Sequence, residues 1–120
     1  MKFTYLLVTL LVCSSQAFAS TTFTCQFSTF SDNEGTHEGE LSLTYLVDED
    51  AGKAYMIGNN GSNEVVEIYK GDGRSFIEVT STGNVMVTTV TPDLKAVHSR
   101  NSVIFGELIP TQYYGECLVQ

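Results

Sequence analysis

A chain of 120 residues with 14 Asp and Glu against 6 Lys and Arg carries a formal net charge of −8. That balance argues against nucleic acid or an anionic membrane surface as a partner. It favours a cationic partner, and it also serves the solubility of a small protein. The length suits one domain with a modest core, and no apolar run approaches the ~20 residues that a membrane-spanning helix requires.

The first stretch, MKFTYLLVTLLVCSSQAFA, reads as a secretory signal. Lys2 precedes an apolar run from Tyr5 to Val12, and Ala17-Phe18-Ala19 supplies an A-x-A cleavage pattern. Cleavage after Ala19 would discard Cys13 and leave a single domain over 20–120, which is 101 of the 120 residues. Its net charge would be −9, because Lys2 leaves with the signal while all 14 acids stay. The domain is therefore expected outside the cytoplasm, in the periplasm or the medium.

Beyond residue 20, short runs rich in Val, Ile, Thr, Phe and Tyr alternate with turn-forming clusters. In chain order the runs are TFTCQFSTF, ELSLTYLV, KAYMI, EVVEIYK, SFIEVT, VMVTTVT, KAVHS, VIFGELI and QYYGECLV. The clusters between them are SDNEG, DEDAGK, GNNGS, GDG, STGN, TPD, RNS and PTQ. Strand residues at strand lengths, with no helical period, predict an all-β antiparallel meander of about eight strands. In the second run Leu41, Leu43, Tyr45 and Val47 share one face. Later runs place apolar residues on both faces, as at Val65, Val66 and Ile68 or Phe76, Ile77 and Val79. This pattern fits packing on both sides or a partner surface. Asp72-Gly73 suits a two-residue type I′ turn, Pro92-Asp93 suits a type I turn, and Arg100-Asn101-Ser102 suits a tight hairpin.

Two cysteines remain in the expected mature chain, Cys25 in the first strand and Cys117 in the last. In an oxidising compartment such a pair predicts a disulfide, worth about 4–5 kcal/mol by the chain-entropy argument for a loop this long. A bridge requires Cα atoms within about 7 Å. The terminal strands must then be neighbours, which makes the meander a closed or nearly closed barrel, with a two-sheet sandwich as the alternative.

The densest group of reactive residue types is His98-Ser99-Arg100, followed by Tyr113-Tyr114. Alternation along a strand sends His98 and Ser99 to opposite faces, which separates a would-be base from a would-be nucleophile. His98 and Arg100 share a face, where the histidine is expected beside an aromatic ring or a cross-strand acid such as Glu107. We assign no catalytic residue. His98, Arg100, Tyr113 and Tyr114 stand as candidate contacts for a ligand or partner. Asp32, Glu34, His37, Glu38 and Glu40 form an acidic cluster better read as a solvated loop than as a cation site. DEDAGK begins like a calcium loop, but Lys53 stands where glycine is required and no closing glutamate follows. Asn60-Gly61-Ser62 is a glycosylation acceptor only in a eukaryotic source. No metal set or cofactor fingerprint is evident.

At Ala96-Val97-His98-Ser99-Arg100 and Gln112-Tyr113-Tyr114-Gly115 with Cys117, the chain resembles the C-terminal part of short exported proteins of unknown function in marine alphaproteobacteria. The placement of one cysteine in the first strand and one in the last also resembles the MliC-type periplasmic lysozyme inhibitors. That resemblance implies a small disulfide-tied barrel acting on a basic enzyme. The expectation is a non-enzymatic exported barrel of unknown specificity that binds a ligand or protein. The alternatives are a lysozyme-type inhibitor, an envelope structural component, or a small enzyme using His98. The intact mass of exported protein should equal that of Ser20–Gln120 less two hydrogens. Two free thiols, or a retained leader, would contradict this reading.

Overall fold

The computed structural model describes residues 19–58 and 61–120. Residues 1–18 of the expected signal, with Cys13, and the acceptor Asn60 lie outside those residues. Eight strands follow one another: β1 (Ser20–Asp32), β2 (Gly35–Asp48), β3 (Lys53–Gly58), β4 (Gly61–Lys70), β5 (Gly73–Val79), β6 (Val85–Val90), β7 (Lys95–Ile104) and β8 (Glu107–Val119). Each pairs antiparallel with the next, and β8 pairs back onto β1, so the sheet closes into an up-and-down barrel. Closure satisfies backbone groups that a sandwich would leave on its edges. The turns after β1, β5 and β7 mark one end of the barrel. Those after β2, β4 and β6 mark the other, together with both termini.

The core follows from period-2 alternation. Phe23, Cys25 and Phe27 of β1 point inward with Leu43, Tyr45 and Val47 of β2, Ala54 of β3 and Val65 of β4. Phe76, Val90, Ala96 and Cys117 complete the core from β5 to β8, and half-buried Leu41 packs against it. Cys25 stands directly opposite Cys117 in the β1–β8 ladder, and the two are disulfide-bonded across a sequence separation of 92. Both sulfurs belong to the apolar interior, at 0% and 3% residue exposure, so reductant cannot reach the bridge without opening the barrel.

The last two strands depart from the expected punctuation. No hairpin forms at Arg100–Ser102 and no break occurs at Pro110–Gln112. Instead β7 and β8 form one long ladder from Lys95↔Glu116 to Ile104↔Glu107, turning at Phe105-Gly106. Polar turn-formers stay extended because cross-strand pairing outweighs their local preference. Pro110 is tolerated because β1 ends its pairing with β8 at Ser31↔Gln112, which leaves no neighbour on that side to receive a missing N–H. The β4–β5 turn also sits one residue earlier than expected. Lys70 pairs with Gly73, and Gly71 takes φ 67° while Asp72 stays out of the positive region, a type II′ arrangement. Pro92-Asp93 do occupy the β6–β7 turn, which closes through Leu94 at φ 67°. That conformation is costly for leucine. It is offset because Leu94 packs on the core and its carbonyl accepts the Cys117 N–H at 2.7 Å.

Gly115 is required by close approach. A Cβ there would overlap the Gln26 carbonyl and come within 2.7 Å of Phe27 Cα, both backbone atoms of β1. Directly beyond, β1 shifts register between Phe27 and Thr29, leaving Ser28 unpaired, which turns Phe30 inward towards Tyr113. Gly115→Ala should therefore force β1 and β8 apart and cost about 3 kcal/mol, at the upper end for overpacking. Gly39→Ala, which meets only the movable ring of Phe30, should cost less. Chemical denaturation of both variants checks the order, and equal costs would refute the backbone argument.

Candidate functional site

The inward positions towards the β1–β2 turn carry polar groups as well as rings. Thr88 of β6 lies opposite His98 of β7, which lies opposite Tyr113 of β8. Tyr45 reaches across the interior, its hydroxyl 2.5 Å from Thr88 Oγ1, and Thr88 Oγ1 is 2.6 Å from His98 Nδ1. Arg100 Nε donates to His98 Nε2 at 2.8 Å. Because arginine only donates, Nε2 must accept, and the ring proton belongs on Nδ1, where it is donated to Thr88. The histidine tautomer is thus set by its neighbour two residues along the same strand.

His98 is 1% exposed and lies between the rings of Phe27 and Tyr113, at centroid distances of 6.0 and 6.1 Å. Burial, with the Arg100 charge adding to it, pushes its pKa down to about 4. Burial likewise pushes the Tyr45 hydroxyl up to about 12. The pair is neutral at ordinary pH. The stack continues outward from Tyr113 to Phe30 at 5.2 Å and from Phe30 to His37 at 5.1 Å, with the Arg100 guanidinium 5.4 Å from the Tyr113 ring centre. His37 Nε2 lies 2.9 Å from Asp32 Oδ1. The Glu34 backbone N–H, then His37, holds the Asp32 carboxyl below its ordinary value. At the opposite end Tyr45 stacks on Phe76 at 4.3 Å, and the Arg74 guanidinium lies between the rings of Phe23 and Tyr69 at 4.7 and 4.2 Å.

The four candidate contact residues separate. His98 is enclosed in the interior, Arg100 and Tyr113 are half-buried around it, and Tyr114 lies on the outer wall at 38% exposure. Ser99 faces outward and accepts a hydrogen bond from Gln112 Nε2 at 3.4 Å, so His98 and Ser99 do sit on opposite faces. An aromatic neighbour for His98 is present. A Glu107 partner is not, since Glu107 pairs with Ile104 at the far tip of the hairpin. The longer ladder also takes Phe105 out to the turn, away from the histidine. Among the described residues no group of three His, Cys, Asp or Glu side chains is disposed to hold a metal ion, and Asp32 is instead engaged by the turn that follows it.

Glu78 was not singled out in the sequence, although period-2 alternation from Phe76 places it inside. It is 8% exposed; Oε1 accepts from Asn63 Nδ2 at 3.3 Å and Oε2 has no hydrogen-bond partner. Glu67, inward by the same count from Val65, also has a shielded Oε2 without a hydrogen bond, with Arg74 Nη1 at 3.7 Å. No known protein family, curated protein or solved structure matches this chain.

Both nitrogens of His98 are hydrogen-bonded, no outer hydroxyl faces it, and its protonation would put a second cation beside Arg100. The histidine thereby joins β7 to Thr88 of β6 in a single tautomer. A folded pKa near 4 against an ordinary 6.5 stabilises the neutral form. The associated stability is fully present above about pH 6.5 and is lost as pH falls towards 4, roughly 3 kcal/mol across that window. Urea unfolding at pH 7, 5.5 and 4 (round values spanning that window) should show this fall, and His98→Gln should flatten it. An unchanged slope in the variant would assign the loss to other groups.

Proposed function

We propose that the protein is an exported, non-enzymatic binding module that engages a macromolecular partner through the β7–β8 hairpin. The carrying observation is the shape of that hairpin. Pairing of β7 with β6 ends at Arg100 and pairing of β8 with β1 ends at Gln112, so residues 101–111 outrun the barrel as a two-stranded arm. Its tip exposes Val103, Ile104, Phe105 and Leu108, with Phe105 at 102% exposure and φ 51°. An apolar ring held outward at a turn is costly in a solitary protein and useful at an interface. The interior supports the same reading: Phe27, Phe76, His98, Thr88 and Cys25 fill it, leaving the contacts to the outside.

An inhibitor of a lysozyme-type enzyme is the second reading. It is favoured by an eight-stranded closed barrel tied from first strand to last and by an acidic surface facing basic enzymes. It stands second because the Ser-Gly stretch leading to a Tyr, the loop pattern of those inhibitors, is absent from the chain. Lysozyme rates that do not change with excess protein would remove it.

For the first reading, affinity capture from native periplasm or medium should retain a partner on the wild type and lose it on Phe105→Ser. The melting temperature should not move, because the ring supports nothing within the barrel. Identical captures on both proteins, or a specific turnover abolished by His98→Ala, would overturn it.

A further inference from the structure

A second surface, remote from the arm, is defined by an exchange of partners along β4. Its first half pairs with β3, ending at Ala54↔Val65, and its second half pairs with β5 from Val66↔Ile77 to Lys70↔Gly73. Because β3 begins at Lys53, Val66–Lys70 has no strand beside it on the β3 side among the described residues. This is an open edge, as are residues 35–43 of β2 on the β3 side and 61–65 of β4 on the β5 side. Val66, Ile68 and Tyr69 are exposed along it, at 61%, 42% and 62%.

A cleft of about 430 Å³ opens where the partner strand is missing. Buried Val47, Ala54 and Val65 line it together with Asp48, Glu49, Glu64 and Glu67, with Lys53 the one ammonium among the lining residues. Glu67 adds a carboxylate oxygen that is shielded from water and has no hydrogen bond, with Arg74 Nη1 at 3.7 Å as its ion-pair partner. An apolar wall beside four carboxylates suits a side chain with an aliphatic stem and a cationic head, which is the chemistry of lysine and arginine. An open strand edge suits an extended backbone.

We propose that the Val66–Lys70 edge and its adjoining cleft bind an extended basic segment of a partner protein. The segment adds as a strand beside β4 and places a Lys or Arg side chain among Asp48, Glu49, Glu64 and Glu67. Charge decides against a second copy of this chain as the occupant, since edge-to-edge pairing would bring two such carboxylate rims together. The surface lies at the end of the barrel opposite the Phe105 arm, so its occupation does not depend on what the arm binds.

The test titrates the oxidised protein with two synthetic peptides of about eight residues that alternate valine with lysine or with glutamate. Binding is followed by amide shifts and exchange protection. The lysine peptide should protect amides within Val66–Lys70 and weaken as salt rises past about 0.15 M, while the glutamate peptide should bind at least ~10-fold more weakly. Glu64→Lys and Glu67→Gln should each weaken the lysine peptide several-fold without lowering the melting temperature. Phe105→Ser should leave that binding unchanged. Equal binding of both peptides, or shifts mapping away from Val66–Lys70, would overturn the proposal. So would a concentration-dependent dimer that protects the same amides in the absence of peptide.

Discussion

The pairing of β1 with β8 is the constraint on which the remaining structure depends. Cys25 and Cys117 stand opposite one another in that ladder, and their bond holds the two ends of the sheet in a single register. A slip by one residue would turn every inward side chain of β8 to the outside. The neighbouring features enforce the same register: Gly115 lets the backbone of β1 pass where any side chain would collide, and the Leu94 carbonyl receives the Cys117 N–H. Covalent bond, close approach and hydrogen bond act within three residues of each other on β8. The register shift at Ser28 then sends Phe30 inward to cover Tyr113.

Closure creates an enclosed interior and places polar groups in it on strict terms. A buried donor or acceptor left without a partner costs more than a formed hydrogen bond contributes, so the Tyr45–Thr88–His98–Arg100 chain has little freedom in its proton positions. Arg100 can only donate, which orders the chain from one end, and burial, with the Arg100 charge adding to it, keeps His98 neutral. The Oε2 atoms of Glu78 and Glu67, which have no hydrogen bond, are exceptions to this economy, Glu67 being offset by Arg74 at 3.7 Å. Glu78 lies one residue past the end of the β4–β5 pairing at Val66↔Ile77, and Glu67 lines the cleft.

Where strands outrun their neighbours the barrel has surfaces to offer. The β7–β8 arm is apolar and nearly uncharged beyond Arg100, with Glu107 its one acid, whereas the β4 edge is bordered by carboxylates. The two lie at opposite ends and differ in chemistry, which suits one chain to two unlike contacts. A net charge of −8 raises the encounter rate with any basic partner over that with an acidic one.

Much of the fold was legible in order and spacing. Strand residues at regular intervals predicted the meander, and one cysteine at each end predicted closure, because a disulfide tolerates only a short Cα separation. Alternation separated His98 from Ser99 and set Leu41, Leu43, Tyr45 and Val47 on one face, which the structure turns towards the core. Read as far as Glu78 and Glu67, it would also have found the buried acids. Turn position was less legible. Arg100–Ser102 and Pro110–Gln112 carry turn chemistry, yet they stay extended, while Phe105-Gly106 bends, because pairing over a long ladder outweighs the preference of a few residues. The tautomer of His98, the need for glycine at 115 and the open edge of β4 were decided by tertiary structure alone. Each depends on which atoms from distant parts of the chain come to lie side by side, and that is a property of register rather than of local sequence.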